Sequence, residues 1–107
     1  MSKWAMNDAI VIAENLAKVA YQYYLFDDED EALEYYDSIA CGTNEISTGH
    51  IYRDVVAEVL EIRHFARERV KIPKLKPEHE RLLIEALNIA SAYDGPLARA
   101  AASRAED

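Results

Sequence analysis

The fold is decided by the stretch from residue 6 to residue 24, MNDAIVIAENLAKVAYQYY. Apolar side chains recur in it every three or four residues, which is the spacing of one face of an α-helix. Half of this face is alanine, so a neighbouring helix can approach it closely. The predicted core stripe comprises Met6, Ala9, Ile10, Ala13, Leu16, Ala17, Ala20 and Tyr24.

The same period continues along the chain and predicts three further helices. The second runs from Asp28, a capping residue, to Cys41 before Gly42. The third starts at Ser47 and ends at Ile72, because a residue before proline avoids the α region. The fourth starts at Pro77, and residues 97–105 either form a short fifth helix or fray. The predicted core positions of the third helix are Ile51, Val55, Val59, Ile62, Ala66 and Val70. Those of the fourth helix are Leu82, Leu83, Ala86, Ile89, Ala90 and Tyr93.

No segment alternates convincingly with a period of two, so the sequence predicts an all-α protein. We expect a compact antiparallel bundle of four main helices that forms a single domain over residues 1–107. Half of the residues are hydrophobic and 30% are charged, which excludes an intrinsically disordered chain. The single cysteine excludes an intrachain disulfide framework and fits a reducing compartment. We see no signal peptide and no apolar run long enough to span a bilayer, and therefore expect a soluble, cytoplasmic protein.

The charge is unevenly distributed. Residues 1–46 contain ten Asp or Glu against two Lys, which already equals the net charge of −8 of the whole chain. Residues 47–107 contain ten of each sign and include a basic stretch from Arg63 to Arg81. Such an asymmetry favours electrostatic steering towards a charged partner.

The densest acidic point is the run Asp27, Asp28, Glu29, Asp30, Glu31, which Glu34 and Asp37 extend along the second helix. Carboxylates at a helix N-terminus are stabilised by the helix dipole, so a solvated helix end explains two or three of them. Five consecutive acids also repel one another, and capping requires no such density. The alternative is a recognition surface whose carboxylates take the place of nucleic-acid phosphates.

Tyrosines flank this run. Consecutive residues on a helix cannot all face the core, so some of the rings are partly exposed, and tyrosine is enriched at interfaces. We expect the contact surface to include Tyr23, Tyr24, Tyr35 and Tyr36. The alternative is that Tyr24 and one of Tyr35 or Tyr36 belong to the core.

Glu61 and His64 have the Glu-x-x-His spacing of carboxylate-bridged di-iron bundles. The motif is similar to that of the ferritin-like family, in which two such motifs or a dimer complete the site. Here it occurs once, and the helical period places both side chains opposite Val55, Val59 and Ile62. Because di-iron ligands must point inward, we assign no metal ligands and no cofactor.

The remaining candidates are isolated. His79 is predicted in the first helical turn near the apolar face, where the dipole favours a neutral, packed or hydrogen-bonded imidazole. Cys41 at a helix C-terminus beside acidic residues is predicted to be structural, because thiolate is disfavoured there. We identify no catalytic residue and expect no enzymatic activity.

The second and third helices resemble a helix-turn-helix, whose recognition helix would begin with Ser47, Thr48, His50 and Arg53. A sequence isoelectric point near 4.8 argues against direct binding to nucleic acid.

The leading hypothesis is a small non-enzymatic interaction module that binds a basic protein surface, without a membrane and without direct contact to nucleic acid. This kind of chain suits inhibitors of phages or mobile elements that occupy the basic surface of a nucleic-acid-binding complex. A homodimer would form if the basic stretch accepted the acidic run of a second copy. The alternatives are a ferritin-like metal-binding bundle and a helix-turn-helix transcriptional regulator.

Overall fold

The computed structural model describes residues 6–40 and 51–92, and these form four α-helices. They are α1 (Met6–Gln22), α2 (Glu29–Ala40), α3 (Ile51–Glu68) and α4 (Pro77–Ser91), and the described ranges contain no strand. The predicted all-α fold of four helices is therefore confirmed. The predicted features at Cys41, Gly42, Ser47, His50, Tyr93 and 97–105 lie outside the described residues.

Helix α1 is the central element and contacts the three other helices. Ile12, Leu16 and Val19 are fully buried among the alanines of its inner face. Burying an aliphatic side chain of this size contributes about 1.5–3 kcal/mol, so α1 supplies a large share of the core energy.

The buried face of α1 is rotated relative to the predicted stripe. Ile12 and Val19 lie inside, whereas Ile10 is 41% exposed. Helix α1 packs against both α2 and α4, which widens its buried face, and Ile10 falls at the edge beside α2. The prediction that Ile10 belongs to the core is therefore wrong.

Helix α1 ends in a left-handed turn at a tyrosine. Tyr24 has a φ of 66°, the Leu25 N–H donates to the Ala20 carbonyl at 3.0 Å, and the Tyr24 N–H donates to the Tyr21 carbonyl at 3.1 Å. This is the hydrogen-bond pattern of the Schellman motif, in which glycine normally occupies the left-handed position. The turn points Tyr24 outwards, so its predicted core position is wrong.

Helices α3 and α4 form the other half of the core. Val55, Val59, Ile62 and Ala66 are buried as predicted, and so are Leu83, Ala86 and Ala90 of α4. Leu82 and Ile89 are only partly buried, whereas Leu87, which the predicted stripe did not include, is fully buried. Helix α4 begins at Pro77, as predicted.

Helix α3 ends at Glu68, earlier than its proline predicts. The chain reverses at Lys71, which has a φ of 64°, and the Ile72 N–H donates to the Ala66 carbonyl at 3.0 Å. The helix therefore ends in a left-handed turn with its own backbone hydrogen bonds. This end comes before Ile72, the residue whose α conformation Pro73 disfavours.

One buried hydroxyl joins the end of α1 to the start of α4. The Lys76 N–H donates to the Tyr23 hydroxyl oxygen at 2.8 Å, and the same hydroxyl lies 3.0 Å from His79 Nδ1. The Tyr23 hydroxyl therefore accepts from the Lys76 N–H, and the tautomer of the neutral imidazole decides whether it donates to His79 Nδ1 or also accepts from it.

The environment of His79 favours this neutral form. The ring is buried and packs edge-on against the Tyr23 ring, with centroids 5.2 Å apart. Burial lowers the pKa of His79 below its ordinary value; Glu78 acts to raise it, and Lys76 and Lys18 lower it. The predicted packed, hydrogen-bonded imidazole is confirmed.

Candidate functional site

The acidic run begins in the turn before α2 and fills the first helical turn. The Asp30 N–H donates to Asp28 Oδ1 at 3.0 Å, and the Ala32 N–H donates to the Asp28 carbonyl at 3.1 Å. Asp28 is therefore the N-cap, as predicted. Capping accounts for one carboxylate of the run and leaves the others to the dipole or to a partner.

The exposed side of α2 continues the run. All seven predicted acidic residues are exposed, and we call them the acidic ridge: Asp27, Asp28, Glu29, Asp30, Glu31, Glu34 and Asp37. On a helix, Asp30, Glu34 and Asp37 follow one another along one face, because they are separated by four and three residues. The ridge therefore presents a line of negative charge to solvent.

The chain's own cations in the described ranges do not neutralise most of this ridge. Among residues 6–40 and 51–92, no Lys or Arg lies within ion-pair distance of Glu34 or of the five acidic residues from Asp27 to Glu31. Arg63 instead forms an ion pair with Glu80, between α3 and α4.

A groove with an apolar floor lies beside the ridge, between α1 and α2. Ile10 and Leu33 are 41% and 37% exposed there. The groove has a volume of about 390 Å³ and is lined by Ile10, Ala13, Glu14, Asp30, Leu33, Glu34 and Asp37. Two exposed aliphatic side chains are thus framed by carboxylates from both helices. We call this the α1–α2 groove.

The structure divides the four predicted contact tyrosines. Tyr24 is 75% exposed and Tyr35 is half-buried, but Tyr23 and Tyr36 are buried. The predicted contact role does not fit Tyr23, which joins α1 to α4, or Tyr36, which packs in the core. The sequence left open whether Tyr35 or Tyr36 belongs to the core, and Tyr36 is the one that is buried there.

A second cavity lies on the opposite flank of α2, where this helix meets α3. Leu33 and Tyr35 are about 200° apart around the helix axis, so the groove and the cavity are on different sides of the ridge. The volume is about 290 Å³, and the lining is Leu25, Phe26, Tyr35, Tyr36, Glu58, Glu61, Phe65 and Arg69. We call it the aromatic–carboxylate cavity.

Glu58 is the half-buried carboxylate of this cavity and forms a hydrogen bond with the Tyr35 side chain. Desolvation raises the pKa of Glu58, and the charges of Glu61 and Asp54 raise it further, whereas the hydrogen bond from Tyr35 lowers it. The same surroundings, chiefly burial, raise the pKa of Tyr35 to about 12. The cavity therefore holds a poorly solvated carboxylate that has two negative neighbours, Glu61 and Asp54.

Glu61 and His64 are both exposed, as the helical period predicts, and they line different cavities. Glu61 faces α2, whereas His64 lines a cavity with Leu60 and Arg67 at the connection between α3 and α4. Within the described ranges, no three His, Cys, Asp or Glu side chains come together in a way that could hold a metal ion.

The basic stretch lies on α3, the connection to α4 and the start of α4, and one of its members, Arg69, lines the cavity beside α2. Arg67 and Lys74 line a cavity of about 620 Å³ there, together with Ile72 and Pro73. The turn of the predicted helix-turn-helix lies outside the described residues, and Arg53 is exposed near the start of α3.

Sequence reasoning missed Leu33, Glu58, Phe26 and Phe65 as lining residues. The signal for Leu33 was its position on a polar helix face between Glu29 and Asp37, four residues before and after it. No local signal pointed to Glu58, because its role depends on the distant Tyr35.

None of the described helices is long and apolar enough to cross a membrane. Comparisons with protein-family models, curated proteins and solved structures find no match.

Proposed function

We propose that this chain is a non-enzymatic, cytoplasmic interaction module whose acidic ridge and α1–α2 groove bind a basic segment of a partner protein. One observation carries this proposal: Ile10 and Leu33 are exposed on the floor of a groove framed by the carboxylates of Glu14, Asp30 and Glu34. A solvated helix end explains the carboxylates, but it does not explain exposed aliphatic side chains among them.

The chemistry of the groove describes the partner. An amphipathic basic helix offers apolar side chains at intervals of three and four residues and flanks them with Lys or Arg. Its apolar side would cover Ile10 and Leu33, and its cations would meet the carboxylates on either side.

The charge distribution supports fast association. A net charge of −8, with its excess in the first 46 residues, attracts a cationic partner over distances of about a Debye length, roughly 8–10 Å. Electrostatic complementarity of this kind raises the association rate and selects against acidic partners.

The finer form of the proposal concerns what such binding does. A basic surface that is occupied by carboxylates is no longer available for phosphate groups, so the module would inhibit a nucleic-acid-binding protein by competition. Phages and mobile elements are the expected source of an inhibitor of this type.

A model ligand tests the binding surface. The probe is a synthetic amphipathic helix of leucine and lysine, and the negative probe replaces every lysine with glutamate. We expect the Asp30→Asn/Glu34→Gln variant to bind the lysine peptide about tenfold more weakly, since two close ion pairs of about 0.7 kcal/mol each are lost.

The matched control is Glu68→Gln/Glu85→Gln, which removes two exposed carboxylates from α3 and α4. Both double variants have the same net charge, so only position distinguishes them. Equal affinities of the two variants would show that binding follows net charge alone and would contradict the proposed surface.

A further inference from the structure

The aromatic–carboxylate cavity has the composition of a receptor for an organic cation. The rings of Phe26, Tyr35 and Phe65 contribute π-faces or edges to its lining, and Glu58 and Glu61 contribute carboxylates. A cation is attracted by the face of an aromatic ring and by a carboxylate, and both attractions are stronger where water is excluded.

The chain's own arginine shows that this rim accepts a guanidinium group. Arg69 places its Cζ 5.5 Å from the centroid of the Phe65 ring. Both residues of this contact belong to the lining of the cavity. Guanidinium is planar and weakly hydrated, so it stacks on aromatic rings more readily than ammonium does.

Arg69 is the cation among the described residues that line the cavity, but it does not compensate the carboxylates by an ion pair. Arg69 makes no ion pair with Glu58 or Glu61 among the described residues. Glu58 is half-buried beside the negative charges of Glu61 and Asp54, and a hydrogen bond from Tyr35 acts in the opposite direction. A bound cation would relieve this unfavourable environment, whereas a neutral ligand would not.

We propose that the cavity between α2 and α3 binds an arginine side chain of the basic partner, with its guanidinium group against the Phe26, Tyr35 and Phe65 rings and paired with Glu58. This inference rests on the proposed function for the identity of the partner. The cavity adjoins the acidic ridge on the side opposite the α1–α2 groove, so a partner that lies across α2 can reach both. The cavity would then supply an anchoring contact, and the ridge would supply the attraction.

Small probes test the cavity without the partner. The probe is N-acetyl-arginine methylamide, titrated into the full chain while the aromatic ¹H–¹³C signals of Phe26, Tyr35 and Phe65 are recorded. The neutral control is N-acetyl-citrulline methylamide, which has nearly the same shape. We expect saturable shifts with the arginine probe and none with the citrulline probe at equal ionic strength.

The key variant is Glu58→Gln, which preserves the size of the side chain and its ability to accept a hydrogen bond from Tyr35. We expect it to weaken arginine binding at least about fivefold, while Glu68→Gln on the same helix leaves it unchanged. Glu58→Gln removes a poorly solvated charge, so we expect it to fold, and its thermal unfolding midpoint checks this. A second readout is the pKa of Glu58, which should fall when the arginine probe binds.

The outcomes separate this inference from the proposed function. Three results would each overturn the arginine site. They are equal shifts with the citrulline probe, an unchanged affinity of Glu58→Gln for the arginine probe, and equally tight binding of the corresponding lysine compound, N-acetyl-lysine methylamide. Asp30→Asn/Glu34→Gln does not alter the cavity lining, so the small probe should still bind to it. Loss of peptide binding by the ridge variant with intact probe binding would support both proposals, whereas intact peptide binding would overturn the proposed function alone.

Discussion

Removal of the Tyr23 hydroxyl should destabilise the protein by about 2 kcal/mol, although the substitution to phenylalanine deletes one atom. This hydroxyl accepts the Lys76 N–H at 2.8 Å and lies 3.0 Å from His79 Nδ1. His79 is 7% exposed, so its nitrogen would lose its partner away from water, which costs about 1.5 kcal/mol. Lys76 is exposed and its N–H can regain water, so its share is near 0.5 kcal/mol.

The assay is urea unfolding at pH 7.5, followed by circular dichroism, with Tyr24→Phe as the control. Tyr24 adjoins Tyr23 in sequence but is 75% exposed, so its variant should remain within about 0.5 kcal/mol of the wild type. In a separate temperature scan, the same loss in Tyr23→Phe should lower the thermal unfolding midpoint by about 10 °C for a domain of this size. If the two variants were equally stable, the hydroxyl would not join α1 to α4 in the way described.

Three further predictions concern single side chains. The folded state lowers the pKa of His79 below its ordinary value near 6.5, so the stability that neutral His79 contributes should be complete above pH 6.5 and lost as the pH falls below it. The variant His79→Gln should therefore show a smaller change in the free energy of unfolding between pH 7.5 and 5.5. Tyr24→Gly should stabilise the protein by about 0.5–1 kcal/mol in urea unfolding, because the left-handed φ of 66° suits glycine, and a destabilised variant would contradict this. Tyr35→Phe should raise the pKa of Glu58 in a ¹³C NMR titration, because the hydrogen bond from Tyr35 lowers it, and an unchanged or lower pKa would refute that contact.

Local patterns predicted the helices and much of the core. The spacing of Val55, Val59, Ile62 and Ala66 depends only on the helical period, and all four are buried. The capping role of Asp28 is equally local, since it involves an N–H two residues away.

The features that define the candidate site depend on neighbouring helices. Ile10 fits the apolar stripe by spacing, but the positions of α2 and α4 place it at an exposed edge. Tyr24 continues the period from Ala20, but α1 ends at Gln22 and the following turn points the ring outwards. Glu58 meets Tyr35 only because α2 packs against α3, which no local pattern reveals.

The central claim is that a basic partner binds across α2, and NMR mapping tests it most directly. The measurement is the change in backbone amide signals of the ¹⁵N-labelled chain when the leucine–lysine peptide is added in low salt. We predict that the largest shifts occur at Asp30, Leu33, Glu34 and the Ile10 region of α1, with little change in α4. Shifts centred on α4, or no site-specific shifts at all, would contradict the claim.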